Sequence, residues 1–302
     1  MPDIDILTPA SPRANGFVSL VGAGPGHPDF LTVRGLRRIE AADVILPDAL
    51  LDPRFAEFYP AWALVIPAGK RCGRPSTPQE EIHNLMIHHA RRGARVVRLK
   101  NGDPLLFGRG HEEAQALAEA DVPFETVPGL SALQAGAAAA GLSLTHRGLT
   151  DEVRILQGHH LLDRHTDWAD LAVPGPTLVL FMATRTLPGI AQRLLEVGAP
   201  ANLPVVLVED VSGPHETITR SVLAHAAAGL LQSRTDGPGI VYLGPAAGLR
   251  AAAHAYPEPA PGEIQHAPSG HLPLAVGASN GPKKGDQKSW QTMSAPLTVP
   301  AN

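Results

Sequence analysis

Apolar and polar positions alternate along the first half of the chain with two different periods. Residues 18–21 form a short apolar run with branched side chains, which is typical of a buried strand. In residues 32–39, by contrast, Val33, Leu36 and Ile39 recur at helical spacing opposite a face of arginines. Equivalent patterns predict further strands at residues 43–46, 63–66, 95–99 and 124–127, and further helices at 78–92, 109–120 and 132–140. Strands that alternate with helices predict an α/β fold with a mostly parallel sheet.

The second half of the chain repeats this alternation on a smaller scale. Its apolar runs predict strands at residues 153–157, 177–181, 204–208 and 239–243, and helices near 187–197, 221–231 and 246–255. We therefore expect two α/β domains, at residues 17–144 and 145–255, joined near residues 141–151. Residues 1–16 are polar and contain several prolines, which indicates a loose leader. Residues 256–302 are rich in Pro, Gly, Ser and Ala without an amphipathic face, which predicts a disordered tail.

Composition narrows the class of protein. A chain of 302 residues with 44% hydrophobic content can bury two cores, and its net charge of −4 provides no general attraction to nucleic acid. The single cysteine, Cys72, excludes an intramolecular disulfide and a cysteine-based zinc site, and the histidines lack metal-site spacing. No apolar run reaches membrane-spanning length, and residues 1–15 do not resemble a signal peptide. We therefore expect a cytoplasmic protein without a metal, a membrane partner or a nucleic-acid partner.

The loop after the first predicted strand reads Gly22-Ala23-Gly24-Pro25-Gly26 and interrupts both regular structures. A strand, a glycine-rich turn and a helix form the usual layout of a nucleotide-binding α/β unit. The dinucleotide fingerprint would require glycine at position 27, where His27 stands, and Pro25 removes a backbone donor that a pyrophosphate would need. The loop therefore favours a nucleoside ligand without phosphates over a dinucleotide, although a tight structural turn alone would have the same composition.

In open parallel sheets, ligands bind in the loops at the carboxyl ends of the strands. The corresponding loops here are rich in Gly, Pro, Asp and Arg: residues 22–29, 47–50, 68–75, 100–110, 128–131, 182–185 and 209–215. Each loop taken singly could be turn chemistry. Their concentration at one edge of the predicted sheets indicates a binding site there.

Several of these loops match a known family in order and spacing. The matching motifs are Gly22-Ala23-Gly24-Pro25-Gly26, Pro47-Asp48-Ala49-Leu50, Ala68-Gly69-Lys70-Arg71, Arg98-Leu99-Lys100-Asn101-Gly102-Asp103-Pro104, Phe107-Gly108-Arg109-Gly110, Val127-Pro128-Gly129 and Leu144-Thr145-His146-Arg147. From residue 17 to residue 255 the chain resembles the uroporphyrinogen-III C-methyltransferases of the tetrapyrrole methylase superfamily. The resemblance implies two α/β domains of the tetrapyrrole methylase type with S-adenosyl-L-methionine (SAM) in the cleft between them, in a homodimer.

The resemblance also implies an activity. Enzymes of this kind methylate uroporphyrinogen III at C2 and C7, giving precorrin-2 by way of precorrin-1 for siroheme, cobalamin or heme d1 biosynthesis. A later precorrin methyltransferase of the cobalamin pathway is the alternative, and a binding protein that has lost turnover is a second. Because no long extension precedes residue 17, we expect the dehydrogenase–chelatase module that some relatives carry to be absent.

Residue roles follow from the same resemblance. It makes Asp48 the proton acceptor and Lys70 the proton donor, although an Asx turn and a solvated lysine are the simpler interpretations. The implied SAM contacts are Pro25, Asn101, Gly102, Asp103, Leu106, Ser131, Ala132, Met182 and Val211. Because the substrate bears many carboxylates, the loop arginines are candidates to bind it: Arg71, Arg74, Arg109 and Arg147. The sequence departs from the family at His27, Pro47, Asn101 and Val211, and a crowded pocket at Val211 puts SAM affinity in question.

Overall fold

A computed structural model of the chain describes residues 16–69, 77–163, 165–235 and 237–250. The first half contains a parallel five-stranded sheet with the order β3-β2-β4-β1-β5. Its strands are β1 (Phe17–Gly22), β2 (Val44–Pro47), β3 (Leu64–Val65), β4 (Arg95–Lys100) and β5 (Phe124–Val127). Its helices are α1 (Val33–Glu40), α2 (Gln79–Arg91), α3 (Gly110–Glu119) and α4 (Ala132–Ala139). The expectation of an α/β fold with a parallel sheet is therefore confirmed for this half.

Alternating side chains of the central strands serve two separate cores. Leu20 packs with α2 and α3 on one face, whereas its neighbour Val21 packs beside Ile39 of α1 on the other. This arrangement explains why β1 is a continuous apolar run, since both faces of a parallel sheet are covered by helices. The Thr32 hydroxyl accepts a hydrogen bond from the Gly35 amide and so begins α1.

The second half contains a mixed five-stranded sheet with the order β6-β7-β10-β8-β9. Its strands are β6 (Val153–Gln157), β7 (Thr177–Phe181), β8 (Pro204–Glu209), β9 (Thr217–Val222) and β10 (Gly239–Leu243), and its helices are α5 (Trp168–Leu171), α6 (Leu187–Glu196) and α7 (Leu223–Ala227). Only β6 and β7 pair in parallel, while β10 is antiparallel to β7 and β8, and β9 is antiparallel to β8.

Two elements of this half, β9 and α5, are not predicted by the apolar pattern, and two of the predicted helices differ from the structure. Strand β9 lies in a stretch without an apolar run, because it is an edge strand whose side chains are partly or fully exposed. The helix expected at residues 221–231 is only the five-residue α7, since residues 221–222 complete β9. The four-residue α5 was also not predicted. The helix expected at 246–255 corresponds to a short 3₁₀ turn, Pro245–Gly248, and its remainder from residue 251 lies outside the described residues.

Helix α4 packs against the second sheet, although the sequence placed it in the first domain. The Tyr242 hydroxyl on β10 donates to the carbonyl oxygens of Ala132 and Leu133, at 3.0 Å in each case. Gly136 permits this approach, because a Cβ there would lie 2.5 Å from that hydroxyl oxygen. The boundary at residue 144 therefore remains a prediction, and the expected leader and tail fall outside the described residues apart from Gly16.

Candidate functional site

Four glycines bring the loops after β1, β4 and β5 into direct backbone contact. A Cβ at Gly22 would lie 2.5 Å from the Gly129 amide nitrogen, and a Cβ at Gly129 would lie 2.3 Å from the Gly102 carbonyl oxygen. Gly24 and Gly102 exchange backbone hydrogen bonds of 3.2 and 2.9 Å. Only glycine allows backbones to approach this closely. The glycines at the carboxyl edge of the first sheet therefore join three loops into one surface.

The Asp103 carboxylate holds two of these loops together. One oxygen accepts a hydrogen bond from the Gly129 amide at 3.0 Å, and the other accepts one from the Leu105 amide at 2.8 Å. Before it, Gly102 adopts φ 68°, and a Cβ there would meet no atom within 4 Å. The backbone at Gly102 thus faces open space. The Asp103 side chain holds the neighbouring loops in place around that space.

Strained backbone is concentrated around this surface. Among the described residues, six residues other than glycine have positive φ, and five of them lie in loops after β4, β7 and β8: Phe107, Arg109, Met182, Asp210 and Ser212. Such conformations cost energy and cluster at functional sites. The Phe107 ring packs against Phe181 with centroids 5.1 Å apart, so the loop after β4 reaches the end of β7. The sequence places Phe107, Asp210 and Ser212 in candidate loops but indicates no role for them, because strain leaves no mark in composition. It gives no signal for Phe181, which is the last residue of β7.

The loop after β8 completes the surface from the second half. A Cβ at Gly26 would lie 2.2 Å from the Val211 carbonyl oxygen, so the loop containing Pro25 touches the loop containing Val211. The Val211 side chain is buried in the core that also contains Leu133 and Tyr242. It therefore contributes to the core of the second half, and its backbone contributes to the contact with Gly26.

A cavity of about 680 Å³ lies next to this contact. It is lined by residues on both sides of the contact: Gly26, Leu50, Leu51, Asp52, Pro53, Asp210, Gly213, Pro214, His215, Glu216, Thr217, Arg234, Thr235 and Gly237. None of the predicted site residues that the structure describes lines this cavity, although Gly26 and Asp210 adjoin Pro25 and Val211 in the chain. The glycine surface and this cavity are thus neighbours rather than the same site.

A buried group of charged side chains lies beneath the Asp48 loop. Arg98 and Lys100 on β4 and Glu113 on α3 are each at most 3% exposed. Glu113 accepts a hydrogen bond from Arg98 Nε at 3.2 Å and pairs with Lys100 Nζ at 2.8 Å. Desolvation by burial lowers the pKa of Lys100, and the nearby Glu113 carboxylate opposes that shift. Arg98 Nη2 lies 4.0 Å from an Asp48 oxygen, so the group reaches the predicted proton acceptor.

Three more of the predicted residues lie in different surroundings. The Ser131 hydroxyl accepts from the Leu133 amide at the start of α4, directly after the Gly129 contact. Exposed Met182 follows Phe181 and accepts a 3.8 Å contact from Gln157 Nε2 to its sulfur. Arg109 is exposed and paired with Glu112 at 2.6 Å, and that partner raises its pKa.

Two of the remaining predicted residues lie at the surface, and three lie outside the described part of the chain. Leu106 is partly exposed in the loop after β4, and Arg147 is exposed in the turn closed by the bridge between His146 and Thr150. Lys70, Arg71 and Arg74 lie outside the described residues, as does Cys72. Among the residues that are described, no group of His, Cys, Asp or Glu side chains could hold a metal ion. The same residues include no helix long and apolar enough to cross a membrane.

Known proteins resemble this chain over most of its length. It is 44% identical over 246 residues to the siroheme synthase of Azotobacter vinelandii, covering 81% of this chain and 53% of the relative. It is 40% identical over 236 residues to the uroporphyrinogen-III C-methyltransferase of Paracoccus denitrificans, covering 78% of this chain and 82% of the relative. The chain thus spans about half the length of the siroheme synthases that it matches.

A solved structure agrees with these sequences. The uroporphyrin-III C-methyl transferase from Thermus thermophilus complexed with S-adenyl homocysteine has 38% sequence identity and a TM-score of 0.66. The alignment covers 76% of this chain and 98% of that one. The family profile described as "Tetrapyrrole (Corrin/Porphyrin) Methylases" matches residues 18–227. The chain therefore belongs to the tetrapyrrole methylase family.

Proposed function

We propose that this chain is a SAM-dependent methyltransferase that methylates uroporphyrinogen III at C2 and C7, giving precorrin-2 by way of precorrin-1. The observation that carries the proposal is the junction of the loops after β1, β4 and β5, at the edge where a parallel sheet binds ligands. Membership of the methylase family supplies the reaction class. The relative from Paracoccus denitrificans is named for uroporphyrinogen III and the one from Thermus thermophilus for uroporphyrin III, and both names support this choice of substrate.

The residues at this junction fit SAM better than a phosphate-bearing cofactor. Gly102 leaves space for a ligand to approach the backbone, and exposed Met182 offers an apolar wall. Pro25 removes a donor that a pyrophosphate would need. Asn101, Leu106 and Ser131 belong to the same or adjoining loops, and Ala132 is the first residue of α4 directly after them, which supports these residues as cofactor contacts. When bound, SAM would supply an electrophilic methyl group, and these residues would hold it and exclude water.

The substrate would then meet charged side chains of the first half. As a ring carbon becomes methylated, positive charge develops on the pyrrole, and a nearby carboxylate stabilises that charge or accepts the proton. Asp48 suits this role because its carboxylate is 24% exposed at the end of β2. We assign Lys70 as proton donor on the family resemblance. We assign Arg71, Arg74, Arg109 and Arg147 as substrate-binding candidates because guanidinium groups suit the carboxylates of the substrate.

We extend the proposal to a homodimer, on the family resemblance, and to a location in the cytoplasm, on the composition of the sequence. A later precorrin methyltransferase is less well supported, because the 40% and 38% identities are to proteins named for uroporphyrinogen or uroporphyrin III. The downstream pathway, whether siroheme, cobalamin or heme d1, is outside the proposal.

The test is methyl transfer in a defined mixture. Purified chain is incubated with SAM and enzymatically prepared uroporphyrinogen III, and the oxidised product is examined by mass and absorbance. We expect two added methyl groups, and calorimetry should show binding of S-adenosylhomocysteine (SAH) but not of NADPH. A product with one methyl group or none, or NADPH binding without SAH binding, would contradict the proposal.

A further inference from the structure

The buried guanidinium of Arg98 binds one backbone carbonyl of β2 and one of the segment after β3. Arg98 Nη1 donates to the carbonyl oxygen of Leu46 at 3.0 Å and to that of Ala68 at 3.0 Å. Leu46 lies two residues before Asp48, and Ala68 lies two residues before Lys70. A single side chain of β4 therefore holds both segments that lead to the predicted acid–base pair.

Asp48 is itself constrained from several sides. Its amide donates to the Leu99 carbonyl of β4 at 2.8 Å, which places its backbone beside the strand that carries Arg98. A Cβ at Gly69 would lie 2.6 Å from an Asp48 side-chain oxygen, so the carboxylate rests against the glycine backbone. Arg98 Nη2 lies 4.0 Å from the other oxygen. The carboxylate thus sits between Gly69 and Arg98.

Glu113 of helix α3 anchors this guanidinium. Glu113, which is fully buried, accepts from Arg98 Nε at 3.2 Å and from Gln79 Nε2 at 3.1 Å. It also pairs with Lys100 at 2.8 Å. Two cations thus face one buried carboxylate, and Asp48 supplies the second negative charge that balances the group. The attraction between Asp48 and Lys100, which raises the lysine pKa against desolvation, agrees with that balance.

Stability alone does not explain such a group. Burying three charged side chains costs desolvation energy, and apolar side chains of similar volume often serve the fold as well or better. The same face of β4 offers apolar surroundings, since Val96 packs there with Met86 and Leu117. The charged residues Arg98 and Lys100 instead lie toward the carboxyl end of β4, and Asp48 lies next to that end.

We propose that Arg98, anchored by Glu113, is a positioning residue for Asp48. Arg98 fixes the ends of the two segments through the Leu46 and Ala68 carbonyls, and its remaining nitrogen orients the Asp48 carboxylate. The catalytic consequence rests on the proposed function, because it needs methyl transfer to be measured. The local consequence, an ordered Asp48 loop, does not depend on that function.

The test is a double-mutant cycle on turnover with Arg98→Met and Asp48→Asn. We expect Arg98→Met to lower kcat on the order of 10²-fold, the usual cost of displacing a catalytic group by about an ångström, with SAH affinity unchanged. In the Asp48→Asn background the same change should cost less than about threefold, because residues that act together are not additive. Additive losses would overturn the proposal and leave Arg98 as part of the scaffold.

Arg95→Met is the matched control. Arg95 lies on the same strand and pairs with Asp43 at 2.7 Å, but at the opposite end of β2 and on the surface. We expect its kcat to stay within about twofold of the unmodified chain. If Arg98→Met does not fold, Glu113→Gln takes its place in the cycle, because it keeps the shape and removes the anchoring charge.

A second measurement keeps the two proposals distinguishable. Amide hydrogen exchange of residues 44–51 should accelerate in Arg98→Met, or in Glu113→Gln, but not in Arg95→Met. If the unmodified chain transfers no methyl group, the proposed function fails, and this measurement alone decides the positioning role. Unchanged exchange in that segment would overturn it.

Discussion

The two sheets of this molecule have five strands each, but they contribute differently to the candidate site. In the parallel first sheet every strand ends at the same edge, so the loops after β1, β4 and β5 meet through Gly22, Gly102 and Gly129. In the mixed second sheet β10 runs against both of its neighbours, so fewer strands end together. The first sheet therefore collects polar loops, whereas the second contributes packing surface and a few strained loops.

The buried carboxylates show the same division. In the first half, Glu113 pairs with Arg98 and Lys100, and Arg98 in turn lies 4.0 Å from an Asp48 oxygen. In the second half, Glu209 is equally buried but binds the Thr217 hydroxyl, the Ser233 hydroxyl and the Arg234 amide. One carboxylate organises charges at the candidate site, and the other organises loops. Burial alone therefore does not show what a charged side chain does, since this depends on the groups that it contacts.

The largest expected effect tests whether the chemistry belongs to the first sheet. Asp48→Asn keeps the size of the side chain but removes its charge and its basic oxygen. We expect kcat for methyl transfer to fall by roughly 10²–10⁴-fold, the usual scale for a positioned acid–base group. SAH affinity, measured by calorimetry, should barely change.

Asp43→Asn, at the opposite end of β2, is the control for that variant, and its kcat should remain within about twofold of the unmodified chain. Normal turnover of Asp48→Asn would remove Asp48 from the mechanism. Lys70 and the loop arginines would then be the residues to test for a catalytic role in the first half.

The second expected effect concerns the loop junction. Asp103→Ala removes the acceptor for the Gly129 and Leu105 amides. Hydrogen bonds to a charged group are worth about 1.5–3 kcal/mol, so SAH affinity should fall about 10- to 100-fold if the junction shapes the cofactor site. Circular dichroism should show that the chain remains folded, because the residue lies in a loop. Unchanged SAH affinity would mean that the junction is structural only.

The smallest expected effect belongs to the second sheet. Tyr242→Phe removes the hydroxyl that donates to the Ala132 and Leu133 carbonyls. We expect denaturant unfolding to show a loss of about 1 kcal/mol, the usual net value of a buried hydrogen bond, with SAH affinity within about twofold. A large loss of SAH affinity at unchanged stability would contradict the division between the sheets, because β10 would then shape the site directly.

Much of the first half follows from local pattern. Continuous apolar runs such as β1, and amphipathic stretches such as α1, fix the type of each element, because both faces of a parallel sheet are buried. The glycine loops were also recognisable, and they lie at the edge where they were expected. Edge strand β9 was missed because its exposed side chains follow no apolar pattern. The roles of Lys70, Arg71 and Arg74 stay predictions, since those residues lie outside the described part of the chain.

The alternation of elements, the glycine-rich loops and the family resemblance are all visible in the sequence, because these depend on residues close together in the chain. Which distant groups meet is set by the folded arrangement of the elements. It brought the Asp103 carboxylate to the Gly129 amide, and it placed Glu113 beneath Arg98 and Lys100. These contacts join residues separated by one or more elements, and their strength depends on burial. No local pattern records the distance between two side chains or the water excluded from around them.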